Sequence, residues 1–366
     1  MIAALKRLGD HVLGRGEAAI TVPIFDGALK PNQLLEEAEV VAQIEGANDL
    51  ASDGKRLLVA DGMRIVALAG NGDGTERVRF DRTVTALCAL PDGGVAVALD
   101  GVEVRVEGGT SAGGHWTGAA GIPFHAVNAI ACAPDGALVV TDGSQRYDTE
   151  RWAHDLMDRG ATGRVVRLDR GTGQGQELAR RLEYAFGVCP AGADIVVSES
   201  WRHRLLAIAP DGRRRVVLDR LPVYPSRVVA AAGGGFWLTA FAARTQLVEF
   251  VLRETTFRRR MMKEIAPEHW IAPRLRSGES YLEPMQGAHL RTMGVLKPWA
   301  PPRSYGLVIR LSAEGLPRYS LHSRVDGINH GVVAATEVGD FLYLLAKGPG
   351  RVLRLPLAAL EKEARA

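Results

Sequence analysis

The chain has 366 residues, 46% of them hydrophobic and 24% charged, with a formal net charge of +3. That composition belongs to a globular chain with apolar material for a large core. So small a charge gives no electrostatic case for nucleic acid, and no window approaches the roughly 18 apolar residues of a membrane span.

The opening MIAALKRLGDHVLGRGEAA is interrupted by Lys6, Arg7, Asp10 and His11. It therefore lacks the uninterrupted apolar centre, about 7–15 residues long, of a secretory signal. Residues 1–19 read as an N-terminal extension, and the cytoplasm is the expected compartment. Cys88, Cys132 and Cys189 lie in apolar surroundings without a CxxC or metal-type spacing. They read as buried thiols in a reducing compartment.

From residue 20 to 357 one pattern recurs: a Gly-centred turn, an apolar run, a polar break, and a second alternating run. It appears as LASDGKRLLVADGMRIVAL (50–68), ALPDGGVAVALDGVEVRV (89–106), CAPDGALVVTDGSQRY (132–147), CPAGADIVVSESWRHRLLAI (189–208), AAGGGFWLTAFAARTQLVEF (231–250) and TEVGDFLYLLAKGPGRVLRL (336–355). Such a unit makes a small antiparallel sheet that cannot bury both faces alone, so copies stack radially. The expected fold is all-β: a single six-bladed β-propeller with two capping insertions, at least partly helical.

The turn glycines are Gly54, Gly93, Gly136, Gly192, Gly234 and Gly339, mostly about 40 residues apart, a normal blade length. Two intervals are longer. The first holds residues 148–163, where Trp152, Leu156 and Met157 recur at helical spacing. The second holds 253–302, in which TTFRRRMMKEIAPEHW predicts a basic helix and KPWAPP a Pro-rich loop. Residues 358–366 read as a C-terminal tail. The runs Arg213–Arg215 and Arg258–Arg260 read as solvated faces.

In a propeller the residues entering each innermost strand surround the mouth of the axial channel. Counting back about six to nine residues from each turn glycine gives Asn48, Thr85, Asn128, Phe186, Ser226 with Arg227, and His330. Glu45, Asp49, His125 and Tyr184 lie close by. Asp142, Ser144, Arg146 and Tyr147 of DGSQRY, and Glu199, read as structural. No G-x-S-x-G elbow supports a serine hydrolase, and GNGDG (70–74) is a plain turn rather than a phosphate loop.

The stretch VNAIACAPDGALVVTDGSQRYDTERWAHDLMDRGATGRVVRLDRGTGQ resembles the strictosidine-synthase-like family, as do LEYAFGVCPAGADIVVSES and LPVYPSRVVAAAGGGFWLTA. VPIFDGALKPNQLLEEAE is similar to bacterial members. The resemblance spans about 20–357 and is most specific in the third to fifth blades. It implies a six-bladed propeller related to gluconolactonases and paraoxonases, whose hydrolytic members hold a divalent cation, usually calcium, on oxygen ligands at the channel mouth. Carried over, the ligand positions fall on Asn48 (or Glu45), Asn128, Phe186 and the pair Ser226-Arg227. Phe186 offers no lone pair, and Arg227 brings a positive charge.

Strictosidine synthase itself lacks the metal and shuttles protons on a glutamate before its last blade. In GINHGVVAATEVGDFLY (327–343) that position falls near Val333, Glu337 matches a turn-proximal structural acid, and His330 is the ionisable group left. The resemblance therefore implies a small-molecule enzyme using metal-independent acid/base chemistry in the central pocket. His330 would be the acid/base, Arg227 would orient an anionic or carbonyl group, and Asn128 would give a hydrogen bond. C–N bond formation or cleavage, or ring-opening hydrolysis, would be the reaction. Two alternatives stand beside it: a Ca2+-dependent lactone or ester hydrolase built on Glu45 and Asn128 with Asp49 recruited, and a non-catalytic ligand-binding propeller.

Overall fold

A computed structural model describes residues 22–363 apart from 71, 111–112, 281, 284–290, 293–294 and 297–303. Six four-stranded antiparallel sheets form the blades of a propeller. Their innermost strands are Ala47–Ser52, Val84–Ala89, Val127–Cys132, Ala185–Ala191, Val223–Ala230 and Val332–Val338. The second strand of each blade is apolar almost throughout, as in VAVAL (Val95–Leu99), where all five residues are buried. Neighbouring blades cover both faces of such a strand, so it does not alternate. Outer strands are edges and carry charge: Arg214–Leu218 is largely exposed.

The six turn glycines predicted from the repeat all have positive φ, from 57° at Gly339 to 86° at Gly54. A side chain there would strain the turn by about 1 kcal/mol or more. The repeat did not reveal how the ring closes. The last blade takes three strands from the chain's end and its outermost from near its start. Glu39–Gln43 pairs antiparallel with Arg351–Pro356, Glu39 opposite Arg354. Arg354 holds the joint by a salt bridge to Glu39.

Both insertions leave their blades between the second and third strands, and hence from the same end of the propeller. The first contains the helix Trp152–Asp158. The second contains a helical hairpin, Gln246–Arg253 and Thr255–Glu264, then a short turn, Pro267–His269. Gln246–Phe250, expected as the blade's next strand, is helix and belongs to the insertion; that strand comes only after it, at Gly306–Leu311. Thr245 caps the first of these helices by accepting a hydrogen bond from the Val248 amide. Aromatic contacts fasten the caps. The Trp152 ring lies 5.2 Å from Phe241 and 6.3 Å from Trp201, and His154 lies 4.6 Å from Trp270 of the second cap. Residues 1–19 and KPWAPP fall outside the described residues; the tail begins as a helix, Leu357–Glu363.

Candidate functional site at the capped mouth

The inner strands share one irregularity. In all six the pairing with the second strand slips by one residue at the same level. The extra residue is Asn48, Thr85 or Asn128 in the first three blades. In the fourth and fifth, Phe186-Gly187 and Ser226-Arg227 each oppose a single residue. In the last blade it is Val333. A bulge frees a residue from the ladder and re-aims its side chain. Six of them in register place one ring of side chains around the axis, just below the caps.

The ring is a hydrogen-bonded girdle in which each blade donates to a carbonyl of the next. Asn48 Nδ2 donates to Val84 O at 3.1 Å and Thr85 Oγ1 to Val127 O at 3.4 Å. Asn128 Nδ2 donates to Ala185 O at 2.9 Å and Ser226 Oγ to Val332 O at 2.9 Å. Phe186 cannot continue it. There Ser198, on the second strand, donates to the Ser226 carbonyl instead. Gly187 is needed beside it: a Cβ would sit 2.5 Å from Ser226 O and Val228 N. Val333 cannot donate either, and the last junction closes through Lys347 Nζ, which donates to Asn48 Oδ1 at 2.7 Å.

Lys347 follows the second strand of the last blade, Phe341–Ala346. It is half-buried, and among the described residues no carboxylate makes a salt bridge with it. Burial pulls its ammonium below the ordinary lysine value, opposed by the more distant charges of Asp49 and Glu150. Phe186 is half-buried, stacked at 6.0 Å against Phe241, and forms one wall with Trp152 nearby. Polar Asn48 and Thr85, apolar Phe186 and the amine of Lys347 thus share the capped mouth.

A strictosidine synthase family model matches residues 128–206. The Salmo salar adipocyte plasma membrane-associated protein is 24% identical over 349 residues, covering 86% of this chain and 75% of that one. Protein strictosidine synthase-like 6 of Arabidopsis thaliana is 28% identical over 130 residues, covering 35% of each chain. The chain is a six-bladed β-propeller similar to the strictosidine synthase family over its third and fourth blades. Among solved structures, a Xanthomonas campestris gluconolactonase superposes with a TM-score of 0.56 at 14% identity, covering 92% of this chain and 95% of that one. A luciferin-regenerating enzyme superposes with a TM-score of 0.51 at 12% identity, covering 86% and 92%. At those identities the superpositions speak for the fold.

The propeller rearranges the expected site. His330 lies three residues before the bulge and off the ring. Its Nδ1 bonds Ser304 Oγ and its Nε2 the Arg324 carbonyl, both at 2.7 Å. With both nitrogens engaged, the imidazole ties loops together, and the acid/base role expected of it has no geometric support. Arg227 does not reach the capped mouth as a clamp. Its Nη2 pairs with Asp49 at 2.6 Å, both side chains buried, and the side chain lines the cavity at the opposite end. Asn128 and Ser226 are buried girdle members. Tyr184 is buried and stacked on Trp201 at 4.4 Å, and His125 is half-buried with its amide on Asp142. The DGSQRY residues are structural: Asp142 pairs with Arg164, Ser144 with Asp155, Tyr147 with Asp158. So is Glu337, which accepts from Trp237 Nε1 at 2.6 Å and the Ala232 amide at 2.9 Å.

The residues do not fit a calcium ion. Asn48 Oδ1 accepts the Lys347 ammonium. The Asp49 carboxylate is taken by Arg227 and the amides of Leu50 and Leu87. Asn128 is spent on the girdle, Glu45 is exposed, and Phe186 has no donor atom. A divalent cation near two side-chain cations would be repelled by roughly several kcal/mol. Sequence reasoning missed Lys347 because it followed only the starts of inner strands. A lysine ending the unbroken apolar run FLYLLA was the available signal, since the second strand returns to the same mouth.

Proposed function

We propose that the chain is an enzyme acting on a small carbonyl compound at the capped mouth, by metal-independent acid/base chemistry with Lys347 as the proton-transferring group. The observation that carries this reading is the Lys347 amine, half-buried and held on Asn48 Oδ1 where the relatives implied by the resemblance hold a cation. A lysine whose pKa is lowered by burial supplies a neutral amine nearer neutral pH. The neutral amine takes a proton from an attacking water or amine as that nucleophile adds to the carbonyl carbon. The ammonium then returns a proton to the departing oxygen: the ring oxygen in a lactone opening, or the hydroxyl lost as water in an amine–aldehyde condensation. The aromatic wall of Phe186 and Phe241 favours an apolar substrate body. Free Cys88, Cys132 and Cys189 fit a reducing, cytoplasmic setting, which belongs to the same proposal.

The test is a panel of lactones, esters and amine/aldehyde pairs assayed with the wild-type chain and Lys347→Met. Turnover of at least one class, lost in the variant while its thermal melt stays cooperative, supports the reading. Turnover that survives Lys347→Met overturns it. Binding without turnover across the panel would mark a ligand-binding propeller, and calcium-stimulated turnover would return the metal-dependent hydrolase.

A further inference from the structure

The uncapped end of the channel is a separate cavity of about 950 Å3, within the usual range for small-molecule sites. Its walls are the far ends of the inner strands, mainly small apolar residues such as Ala89, Ala131, Val188 and Ala335. Its charge is one-sided. Lys55, Arg56 and Arg77 stand with Asp53 at the rim and Arg227 lies in the lining; counting Asp49, which pairs Arg227 from behind the wall, that is four cations against two carboxylates. Asp53 is committed to Arg56, at 2.9 Å, and stands 3.7 Å from Arg77.

A second observation points to a ligand. Among the described residues, three arginines around this mouth each carry a buried nitrogen that makes no hydrogen bond, Arg227 Nε, Arg77 Nη1 and Arg170 Nε. Each guanidinium also has a carboxylate near it: Asp49, Asp53 (3.7 Å from Arg77 Nη1) and Asp92 respectively. Arg170 lines an adjoining cavity of about 580 Å3 that shares Cys132, Cys189 and Ala230 with the first. An unpaired buried guanidinium nitrogen is costly, and several around one cavity mark the place where an anion's oxygens would pair them. The thiols in these walls are not the chemistry. Burial pushes Cys88 up to about 12 and Cys189 up to about 11, which keeps them protonated and inert.

We propose that the uncapped mouth is a second ligand site, for a small amphipathic anion of the aliphatic monocarboxylate class. The carboxylate would meet the arginines and the chain would lie on the apolar walls. The site is distinct from the capped mouth, from which the Asp49–Arg227 pair separates it. It does not rest on the enzyme reading, because binding is read without turnover.

The experiment is isothermal titration of the full chain with decanoate and, separately, with decanol, which has the same tail and no charge. Saturable binding of one decanoate is expected, with decanol weaker by about tenfold or more. Arg77→Gln should weaken decanoate by about tenfold or more while narrowing the gap to decanol, because it removes charge and leaves the walls. Thr336→Trp, which fills the cavity from a half-buried wall position, should weaken both ligands. Absence of saturable decanoate binding, equal affinity for decanoate and decanol, or indifference of a cooperatively melting Thr336→Trp variant would each overturn the proposal.

Discussion

The two ends of the axial channel are built from the same six inner strands and differ in almost everything else. At the capped end each strand begins with a bulge, and the side chains so released are spent on one another: Asn48, Thr85, Asn128 and Ser226 each hold a carbonyl of the next blade. At the uncapped end the strands run into their turns with small apolar residues, and the cations there outnumber their carboxylates and keep guanidinium nitrogens that make no hydrogen bond. One end has its polar groups satisfied and a single amine available beside an aromatic wall. The other has room and more cations than carboxylates to pair them. Polar residues in a ring around a propeller axis are therefore not by themselves a site. The residues that break the ring's pattern, Phe186, Val333 and the lysine that closes it, carry more information than those that keep it.

The largest expected effect sharpens that contrast. Lys347→Met should lower kcat/KM by about 100- to 10,000-fold, the usual range for losing a general acid/base, with little change in melting temperature. The pH profile gives the sign. With a folded-state pKa below the ordinary lysine value of 10.5, the neutral amine grows in as pH rises through that lowered value. Turnover should rise there on one ionisation, which Lys347→Met should abolish. The folded state binds fewer protons than the unfolded one between the lowered value and 10.5, so stability from this group also increases with pH across that interval.

Asp49→Ala should be next, costing about 3–5 kcal/mol by chemical denaturation, because it leaves the Arg227 guanidinium buried without its carboxylate between the two mouths. A loss under about 1 kcal/mol would mean that the pair is hydrated and the two ends communicate. Asn128→Ala should cost about 1–3 kcal/mol by stranding the Ala185 carbonyl, and the loss should be indifferent to added calcium. Calcium-dependent recovery would break the comparison, because it would make the girdle a metal site. The smallest effect is expected from calcium itself: a saturating addition should move the wild-type melting temperature by less than about 1 °C.

The fold was legible because its determinants are local and repeated. A glycine at each tight turn, an apolar second strand and a spacing of about 40 residues state a blade, and six of them state the propeller. The family resemblance rested on the same blades. The site was legible only as a neighbourhood. Counting back from the turns reached Asn48, Thr85, Asn128, Phe186 and Ser226-Arg227, all of which lie on the bulges. In the last blade it reached His330 rather than Val333, because a bulge adds one residue to a strand without a composition cue and loop lengths before the strand vary.

The sequence by itself determined the six blades and their turns, since these follow from periodicity and from the backbone freedom of glycine. The second insertion begins earlier than its pattern suggested, at the helix Gln246–Arg253. Tertiary structure alone decided what the polar residues do. Lys347 meets Asn48 across 299 positions of chain, Glu39–Gln43 closes a blade made from the other terminus, and Arg227 turns away from the mouth where its neighbours in sequence stand. Those outcomes depend on which side chains face a shared axis and how much water reaches them. No pattern along the chain encodes that, because the axis exists only once all six blades have closed around it.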